Sequence, residues 1–200
     1  MIYVVTGHKN GLGLAIANNL LYYKKNQCNQ VVGYDIIDGY DIGNISTIGK
    51  IVWQSKNADV FINNAYDQFG QTQLLRYFIK MWKGNASKLI VNIGSFLINQ
   101  QNLNLGIFNK DEILYIEQKK EQKRLIDEHR TVDQKLKIIQ VNPGLLDTKF
   151  TYTLGGTLPN NCQLHTTQET AQLIVNLIDA AVQGLYTKEI TLNNLTTNEY

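Results

Sequence analysis

The chain has 200 residues, a length that fits one domain, and its 19 basic and 17 acidic side chains leave a net charge of +2. Hydrophobic residues make up 44% and charged residues 18%, a balance that excludes disordered and fibrous classes. Because no basic block occurs, a charge-driven binder of nucleic acid is also excluded. No apolar run is long enough for a membrane span, so we expect no membrane partner.

Two further compositional features set expectations about location and surface. Cys28 and Cys162 are too few for a disulfide framework or a zinc site, and they fit a reducing compartment such as the cytoplasm. The opening residues 1–6 lack the basic segment and the long apolar run of a signal peptide. Asn and Gln together make up roughly a fifth of the chain without forming tracts, a bias that has no functional account in the sequence.

Strand and helix patterns alternate along the chain. Runs of β-branched residues predict strands over 2–5, 31–34, 59–62, 88–93, 137–141 and 189–192, with a short extended piece at 41–42. Apolar residues at helical spacing predict helices over 12–21, 46–56, 71–82, 111–130 and 167–183. Such alternation is typical of parallel βαβ units. We therefore predict a single α/β domain over 1–200, a Rossmann-type doubly wound parallel sheet in three α/β/α layers that binds ligands at the carboxyl ends of its strands.

A glycine-rich turn lies between the first predicted strand and the first predicted helix, in the segment TGHKNGLG over 6–13. Its glycines, Gly7, Gly11 and Gly13, permit positive φ angles and a close approach by a phosphate group. The helix that follows presents free N–H groups and the positive end of its dipole to an anion. This context favours a nucleotide site over a merely tight structural turn.

Asp35 ends the second predicted strand, about twenty residues beyond the glycine turn. A carboxylate at this place accepts hydrogen bonds from both hydroxyls of an adenosine ribose and repels a 2′-phosphate, so it favours NAD(H) over NADP(H). Two alternatives stay open. Asp35 can be a solvated residue at a strand end, and Lys9 can attract a 2′-phosphate instead.

Five short motifs occur in order on these predicted elements. They are TGxxxGxG over 6–13, Asn-Asn-Ala-Tyr over 63–66, Ser95 after the fifth extended segment, YxxxK over 115–119 and PGxxxT over 143–148. In this series the sequence resembles the short-chain dehydrogenase/reductase family, over nearly its whole length and as a shortened member. The second motif is similar to the family's NNAG, with Tyr66 in place of the glycine.

The resemblance implies an NAD(P)(H)-dependent oxidoreductase that interconverts an alcohol and a carbonyl, with Ser95, Tyr115 and Lys119 as catalytic residues. Tyr115 and Lys119 are four residues apart, so they share one helix face. A free tyrosine has a pKa near 10, and a nearby lysine ammonium favours its phenolate, so we expect Tyr115 to act as general acid and base. Ser95 would hold the substrate oxygen while hydride moves to or from the nicotinamide.

The resemblance also implies which residues contact the cofactor. They are Thr6, Gly7, Asn10, Gly11, Leu12, Gly13, Asp35, Asp41, Ile42, Asn64, Ala65, Tyr115, Lys119, Pro143, Gly144, Leu146 and Thr148. Among them, Asp41 would lie near the adenine ring, and Leu146 and Thr148 near the nicotinamide carboxamide. No metal site is expected, because the three histidines lack ligand spacing with cysteines or carboxylates.

Four departures from the family's pattern affect the expected site. Asp67 takes the position of the family's fourth catalytic residue, an asparagine, so we include it in the catalytic set. The stretch from Asn63 to Asp67 is short, which removes one wall of the cleft. Residues 96–114 are long enough for an apolar lid or a subunit contact, although loop packing explains them equally well. The substrate loop over 149–166 is abbreviated, so the substrate is named only as a small alcohol or carbonyl compound.

These departures leave other functions open. One is a catalytically impaired dinucleotide-binding protein of the same fold that acts as a sensor or scaffold. Another is an epimerase of nucleotide sugars, which the short chain beyond Thr148 disfavours. By resemblance, we expect the helices over 71–82 and 111–130 to form a homodimer or homotetramer.

Overall fold

The computed structural model of the chain describes residues 1–23, 29–99, 108–149, 151 and 163–194, with only the backbone of Tyr23. The described strands are β1 (Ile2–Thr6), β2 (Gln30–Tyr34), β3 (Val60–Asn63), β4 (Leu89–Ile93), β5 (Lys137–Asn142) and β6 (Glu189–Thr191). The described α-helices are α1 (Gly11–Tyr23), α2 (Ile45–Gln54), α3 (Gly70–Trp82), α4 (Lys110–Val132) and α5 (Thr167–Val182). Short 3₁₀ helices cover Ile36–Asp38 and Phe96–Asn99.

The described strands form one parallel sheet in the order β2-β1-β3-β4-β5-β6. The chain moves from β1 outward to β2 and then crosses to β3 on the other side of β1. The strand order therefore reverses between β1 and β3, and the carboxyl ends of the strands open a crevice at this point. The predicted doubly wound parallel sheet is confirmed.

Helices cover both faces of the sheet. On one face, α1 and α5 pack together over Tyr3 and Val5. On the other, α2, α3 and α4 pack over Val4. Neighbouring residues of β1 alternate between these two clusters because successive side chains of a strand point to opposite faces. The sheet is thus buried on both sides, which confirms the predicted three layers.

The helices match their predicted positions to within a few residues, and α4 has the best-defined start. Asn109 accepts a hydrogen bond from the N–H of Glu112 at 2.9 Å, and the Glu112 carboxylate accepts one from the N–H of Asn109 at 2.8 Å. This reciprocal capping box fixes where the helix begins. Within the described ranges, none of the helices combines the length and the apolarity that a membrane crossing requires.

The predicted extended piece at 41–42 is wrong. These residues lie in a turn, in which the Asp41 carboxylate accepts a hydrogen bond from the N–H of Gly43 at 2.8 Å. Aspartate favours such turns because its side chain can bond to the backbone two residues further on. Asn44 then caps α2 by accepting from the N–H of Ser46 at 2.9 Å. The chain therefore passes from the turn directly into a helix.

The link between β3 and α3 is short and fixes the position of α3. Only residues 64–69 separate the two elements. A Cβ on Gly70, the first residue of α3, would lie 2.2 Å from the carbonyl oxygen of Ile42, so glycine allows the helix to begin against the turn at 41–42. As a result, Tyr66 and Asp67 lie at the carboxyl end of β3, where they line the crevice.

Candidate active site

A cleft of about 1170 Å³ opens at the carboxyl ends of the central strands. It is lined by most of the residues predicted for the site: Gly7, Asn10, Gly11, Leu12, Asp35, Asp41, Ile42, Asn64, Ala65, Asp67, Ser95, Tyr115, Lys119, Pro143, Gly144, Leu146 and Thr148. The fold thus brings together side chains that are far apart in the sequence. The two remaining predicted residues, Thr6 and Gly13, lie behind the wall of the cleft.

Thr6 and Gly13 hold the glycine turn in shape. The Thr6 hydroxyl accepts hydrogen bonds from the N–H groups of Asn64 and Ala65, both at 3.0 Å, and so ties the turn to the end of β3. A Cβ on Gly13 would lie 2.1 Å from the carbonyl oxygen of Gly7, so glycine is required for α1 to pack this closely. Both residues therefore support the cleft, and neither contributes to its lining.

The start of α1 faces the cleft and can hold a phosphate group. Gly7 and Gly11 have positive φ angles of 71° and 51°, which glycine adopts without strain. The first N–H groups of α1 have no partners within the helix, and no acidic side chain occupies its first turn. A Cβ on Gly11 would lie 3.6 Å from Cγ2 of Thr148, so a larger residue would narrow the cleft here. This cradle fits the diphosphate of a dinucleotide.

Asp35 lies beside the glycine turn at the end of β2 and is 6% exposed. Its two carboxylate oxygens accept hydrogen bonds from the N–H groups of Lys9 and Ile37, both at 3.1 Å. Each oxygen retains a lone pair for a ligand hydroxyl. Lys9 Nζ, the alternative phosphate contact, lies 3.5 Å from the carboxylate of Asp38. This end of the cleft therefore presents the Asp35 carboxylate, and the nearby Lys9 is already paired with Asp38.

Ser95, Tyr115 and Lys119 converge in the cleft beyond the end of β4. Tyr115 and Lys119 lie one turn apart on α4, and the Ser95 hydroxyl lies near the Tyr115 hydroxyl, whose pKa it lowers. Lys119 Nζ lies 5.2 Å from the centroid of the Tyr115 ring. It donates hydrogen bonds to Oε1 of Gln71 at 2.6 Å and to the carbonyl oxygen of Ile93 at 2.8 Å. The cleft thus presents two neighbouring hydroxyls beside a buried amine.

Burial dominates the proton affinities of Tyr115 and Lys119. It raises the pKa of Tyr115 to about 12, an effect that Ser95 only partly offsets. It lowers the pKa of Lys119 to about 7, because a buried ammonium loses its hydration. In the protein alone, the expectation that Lys119 shifts Tyr115 towards the phenolate is therefore wrong. Tyr115 keeps its proton at neutral pH, while Lys119 is divided between its charged and neutral forms.

Gln71 rather than Asp67 makes the polar contact to Lys119. Asp67 lies beside Asp41, where burial, followed by the charge of Asp41, raises the pKa of Asp67. Within the described residues, no hydrogen bond joins Asp67 to Lys119. Counting positions along the sequence led to Asp67 and missed Gln71, which is fully buried in the first turn of α3. The signal that could have found Gln71 is a polar residue in the first turn of the helix that follows the strand end at Asn63, eight positions further on.

Tyr66 also lines the cleft. The sequence analysis noted this residue in place of the motif's glycine but did not assign it to the site. Its ring meets the Tyr115 ring edge to face, with centroids 5.0 Å apart, and Lys119 Nζ lies 5.9 Å from its centroid. The glycine of the family's motif would leave this volume open. Tyr66 therefore forms a wall beside Tyr115, on the side where the short link from β3 to α3 was expected to remove one.

The segment after β5 closes the cleft on the side opposite β2. A Cβ on Gly144 would lie 2.3 Å from Oδ1 of Asn194, so glycine makes room for this side chain. Asn194 in turn accepts from the N–H of Leu145 at 2.5 Å and donates to its carbonyl oxygen at 2.9 Å. Gly144 is thus needed for packing against the chain after β6, in addition to lining the cleft.

Two expected features at the mouth of the cleft fall largely outside the described residues. The substrate loop over 149–166 is described only at 149, 151 and 163–166, and the expected lid over 96–114 is not described at 100–107. From the described part of this lid, Phe96, Leu97 and Phe108 line the cleft.

No protein-family model and no curated protein sequence matches the chain. Its fold does match solved structures. An alcohol dehydrogenase from the archaeon Thermococcus sibiricus, complexed with 5-hydroxy-NADP, superposes with a TM-score of 0.72 and 15% identity, covering 100% of this chain and 98% of that one. A short chain dehydrogenase from Burkholderia cenocepacia, in complex with NADP, has a TM-score of 0.67 and 20% identity, covering 96% of this chain and 87% of that one.

A third match is the 3-ketoacyl-(acyl-carrier-protein) reductase from Brucella melitensis, complexed with NADH. It has a TM-score of 0.67 and 14% identity, covering 96% of each chain. At these levels of identity, the likeness concerns the fold. The chain therefore has the fold of the short-chain dehydrogenases, as the resemblance of its motifs implies.

Proposed function

We propose that the protein is an NAD(P)(H)-dependent oxidoreductase of the short-chain dehydrogenase/reductase type that interconverts an alcohol and a carbonyl compound. The observation that carries this proposal is the convergence of Ser95, Tyr115 and Lys119 in the same cleft as the glycine turn. The solved structures with this fold include an alcohol dehydrogenase and a reductase, each with a nicotinamide dinucleotide bound, which supports the proposal.

The residues present fit such a dinucleotide. The N–H groups at Gly11 and Leu12 would hold its diphosphate, and Asp35 would accept hydrogen bonds from its adenosine ribose. Lys119 and Thr148, which also line the cleft, would contact the nicotinamide half of the dinucleotide, as the resemblance implies. When bound, the dinucleotide supplies or accepts a hydride.

Ser95 and Tyr115 act on the substrate oxygen. Because their hydroxyls meet in the cleft, a carbonyl oxygen placed between them accepts hydrogen bonds from both. Burial raises the pKa of Tyr115 to about 12, so the phenol holds its proton at neutral pH and donates it as negative charge develops on the oxygen. Alcohol oxidation would need the phenolate as base. The site therefore favours carbonyl reduction at neutral pH.

We further propose that NAD(H) is preferred over NADP(H). Asp35 places a carboxylate at the adenosine end, and this repels a 2′-phosphate. Lys9 Nζ lies 3.5 Å from the Asp38 carboxylate, so the lysine nearby is already paired with it. A titration calorimeter that compares NADH with NADPH tests the preference.

We also propose a homodimer or homotetramer through α3 and α4, as the resemblance implies. The two helices lie side by side and are joined by the ion pair of Arg76 and Glu121 at 3.3 Å, while Tyr77 is exposed beside it. Light scattering tests the assembly, and the mass of a single chain in solution would exclude it. The cytoplasmic location expected from the two cysteines stays a prediction.

Hydride transfer is the direct test of the main proposal. The protein is incubated with NADH and a panel of small aldehydes and ketones, and with NAD⁺ and the matching alcohols, while the absorbance of the reduced nicotinamide is followed. We expect turnover by the wild-type protein and its loss in Tyr115→Phe. Unchanged turnover in Tyr115→Phe would contradict the proposed mechanism.

A second candidate function is dinucleotide binding without turnover. The opposite pKa shifts of Tyr115 and Lys119 favour it, since a phenol without an ammonium beside it is a weak base. Tight NADH binding with no hydride transfer across the panel would support this candidate. Failure to bind either dinucleotide would overturn both functions.

A further inference from the structure

A row of polar side chains crosses the sheet on the face that α3 and α4 cover. The strand register pairs Asn63 with Asn92, Asn92 with Gln140, and Gln140 with Glu189. Paired residues of neighbouring strands point to the same face, so these four side chains form a line from β3 to the edge strand β6. The three amides are fully buried, on the face of the sheet that also holds the apolar cluster around Val4.

The amides of this row are bonded head to tail, and the direction is set at the edge of the sheet. The Glu189 carboxylate can only accept, so Asn142 donates to it from Nδ2 at 2.9 Å. Asn142 Oδ1 then accepts from Gln140 Nε2 at 2.7 Å, and Gln140 Oε1 accepts from Asn92 Nδ2 at 2.9 Å. Asn92 Oδ1 in turn accepts from Asn63 Nδ2 at 2.8 Å.

A branch of this network reaches Lys119. Asn92 Nδ2 also donates to Gln122 Oε1 at 3.0 Å, and Gln122 Nε2 donates to Gln71 Oε1 at 3.2 Å. The same oxygen of Gln71 accepts the hydrogen bond from Lys119 Nζ at 2.6 Å. A continuous chain of buried amides therefore connects the lysine to the carboxylate at the sheet edge.

The orientation of the Gln71 amide is forced by its own donors. Its Nε2 donates to the carbonyl oxygens of Asn63 at 2.7 Å and of Ile93 at 3.0 Å, which uses both of its N–H bonds. Reversal of the amide would turn its oxygen towards these buried carbonyl oxygens, and both hydrogen bonds from Nε2 would be lost. Oε1 is therefore held towards Lys119.

Gly94 shows that the network also shapes the backbone beside the cleft. A Cβ on Gly94 would lie 2.0 Å from Gln140 Nε2 and 2.2 Å from Asn142 Oδ1, the two atoms of one hydrogen bond in the row. Its φ is not positive, so no turn conformation requires glycine at this position. Space for the amide row is the reason that the residue before Ser95 has no side chain.

We propose that Gln71 is the positioning residue of Lys119 and that the buried amide network orients Gln71 for this task. The inference rests on the proposed function, because that function gives Lys119 its role. Gln71 Oε1 and the carbonyl oxygen of Ile93 take two of the three N–H bonds of Lys119. Among the groups that the structure describes, the third N–H bond is left to the cleft, which the rings of Tyr66 and Tyr115 line.

Both acceptors of Lys119 are neutral, which distinguishes the site from an ordinary ion pair. They fix the position of the amine without the strong preference for its charged form that a carboxylate would impose. Burial lowers the pKa of Lys119 to about 7, in keeping with such surroundings. The network also accounts for six members of the Asn and Gln excess: Asn63, Gln71, Asn92, Gln122, Gln140 and Asn142.

The test measures the titration of Lys119 by NMR of isotope-labelled lysine, in full-length protein without dinucleotide or substrate. Lys119→Met identifies the signal. Gln71→Glu places a carboxylate against Nζ, so we expect the midpoint to rise by about one pH unit or more, a tenfold change in the acid dissociation constant. Gln71→Met keeps the side-chain length but removes the acceptor, so we expect the midpoint to fall.

Asn19→Asp is the matched control. Asn19 is also a buried amide, but it lies on α1, on the opposite face of the sheet, where it accepts a hydrogen bond from Gln168 at 2.7 Å. We expect this variant to leave the Lys119 midpoint in place.

An unchanged midpoint in the Gln71 variants would overturn the inference. If Gln71→Glu does not fold, Gln71→Met decides alone, since it introduces no charge. No dinucleotide or substrate takes part in this measurement. A failure to find turnover would therefore count against the proposed function, whereas an unmoved midpoint counts against the role of Gln71.

Discussion

Tyr66 and Tyr115 meet edge to face, with ring centroids 5.0 Å apart and ring planes inclined at 73°. This geometry is favourable for a pair of aromatic rings, because the positive edge of one meets the negative face of the other. Tyr66 thereby holds the ring of Tyr115 in place and narrows the cleft beside its hydroxyl. A glycine at position 66, as in the motif that the sequence resembles, would do neither.

The first prediction concerns this aromatic wall. Tyr66→Gly removes the ring contact and adds backbone freedom, so we expect the free energy of unfolding to fall by roughly 2 kcal/mol. The wider cleft should accept bulkier carbonyl compounds. Tyr66→Phe is the control, because it retains the ring and should cost less than about 1 kcal/mol. Urea denaturation and kcat/KM over a series of substrates of increasing size check both effects, and equal size profiles in the two variants would contradict the assignment.

The second prediction concerns the proton donor. Tyr115→Phe keeps the aromatic pair with Tyr66 but removes the hydroxyl beside Ser95, so we expect kcat to fall by about 10²–10⁴. The affinity for NADH, measured by calorimetry, should be unchanged. Tyr77→Phe, on the outer surface of α3, is the matched control and should retain full activity. A loss of NADH binding in Tyr115→Phe would show a binding role in place of proton transfer.

The strands and their order could be predicted because their signal is local. A β-branched run such as 137–141, placed between two helical patterns, is compatible with little except a parallel strand. The piece at 41–42 was predicted wrongly for an equally local reason. The Asp41 carboxylate accepts a hydrogen bond from the N–H of Gly43, and this single side-chain contact stabilises a turn. The apolar Ile42 beside it had suggested an extended segment.

The sequence could predict only those site residues whose side chains have an acid–base or hydroxyl chemistry that suggests a catalytic role. Tyr115 and Lys119 stand out by type and spacing, and the structure brings them into one cleft with Ser95. Gln71 has no acid–base chemistry, and its contact to Lys119 depends on how α3 and α4 pack on the sheet. The sequence also could not predict the direction of the pKa shifts of Tyr115 and Lys119, because the degree of burial decides whether desolvation or a neighbouring charge dominates.

The third prediction compares two glycines. In Gly94→Ala the new Cβ would lie 2.0 Å from Gln140 Nε2, so the buried amides must shift, and we expect a loss of about 1–3 kcal/mol in the free energy of unfolding. Gly49→Ala, within α2, meets open space and should stabilise the protein by about 0.5–1 kcal/mol. Urea denaturation of both variants checks the contrast. Equal effects at the two positions would mean that the buried amides can shift to accept the new Cβ with little loss of stability.

The fourth prediction concerns cofactor preference. The Asp38 carboxylate lies 3.5 Å from Lys9 Nζ, so Asp38→Asn releases this cation at the adenosine end. We expect the affinity for NADPH to rise about tenfold, the equivalent of about 1.4 kcal/mol, while the affinity for NADH changes little. Asp127→Asn, on the exposed side of α4, controls for net charge. Calorimetric titrations that show an equal gain for both dinucleotides would argue against a role in discrimination.

The last prediction concerns stability and pH, and its sign follows from the lowered pKa of Lys119. Below about pH 7, Lys119 is protonated in both the folded and the unfolded chain. The desolvation penalty of the buried ammonium therefore lowers the free energy of unfolding in full. Between about pH 7 and the ordinary lysine value near 10.4, Lys119 is protonated only in the unfolded chain. Stability therefore rises with pH in this window. Above about pH 10 the raised pKa of Tyr115 acts in the opposite sense, because the folded phenol keeps a proton that the unfolded chain releases.

Lys119→Met removes the titrating group and should remove this rise. We expect the free energy of unfolding of the wild-type protein, relative to Lys119→Met, to increase between pH 7 and pH 9 by up to about 1.4 kcal/mol per pH unit. Lys120→Met is the neighbouring control, and because Lys120 is exposed, its difference from wild type should stay flat. Urea denaturation at several pH values provides the measurement. Parallel curves for the wild-type protein and Lys119→Met would mean that Lys119 stays charged when it is buried. The hydrogen bonds to Gln71 and to the carbonyl of Ile93 would then stabilise the ammonium more than desolvation destabilises it.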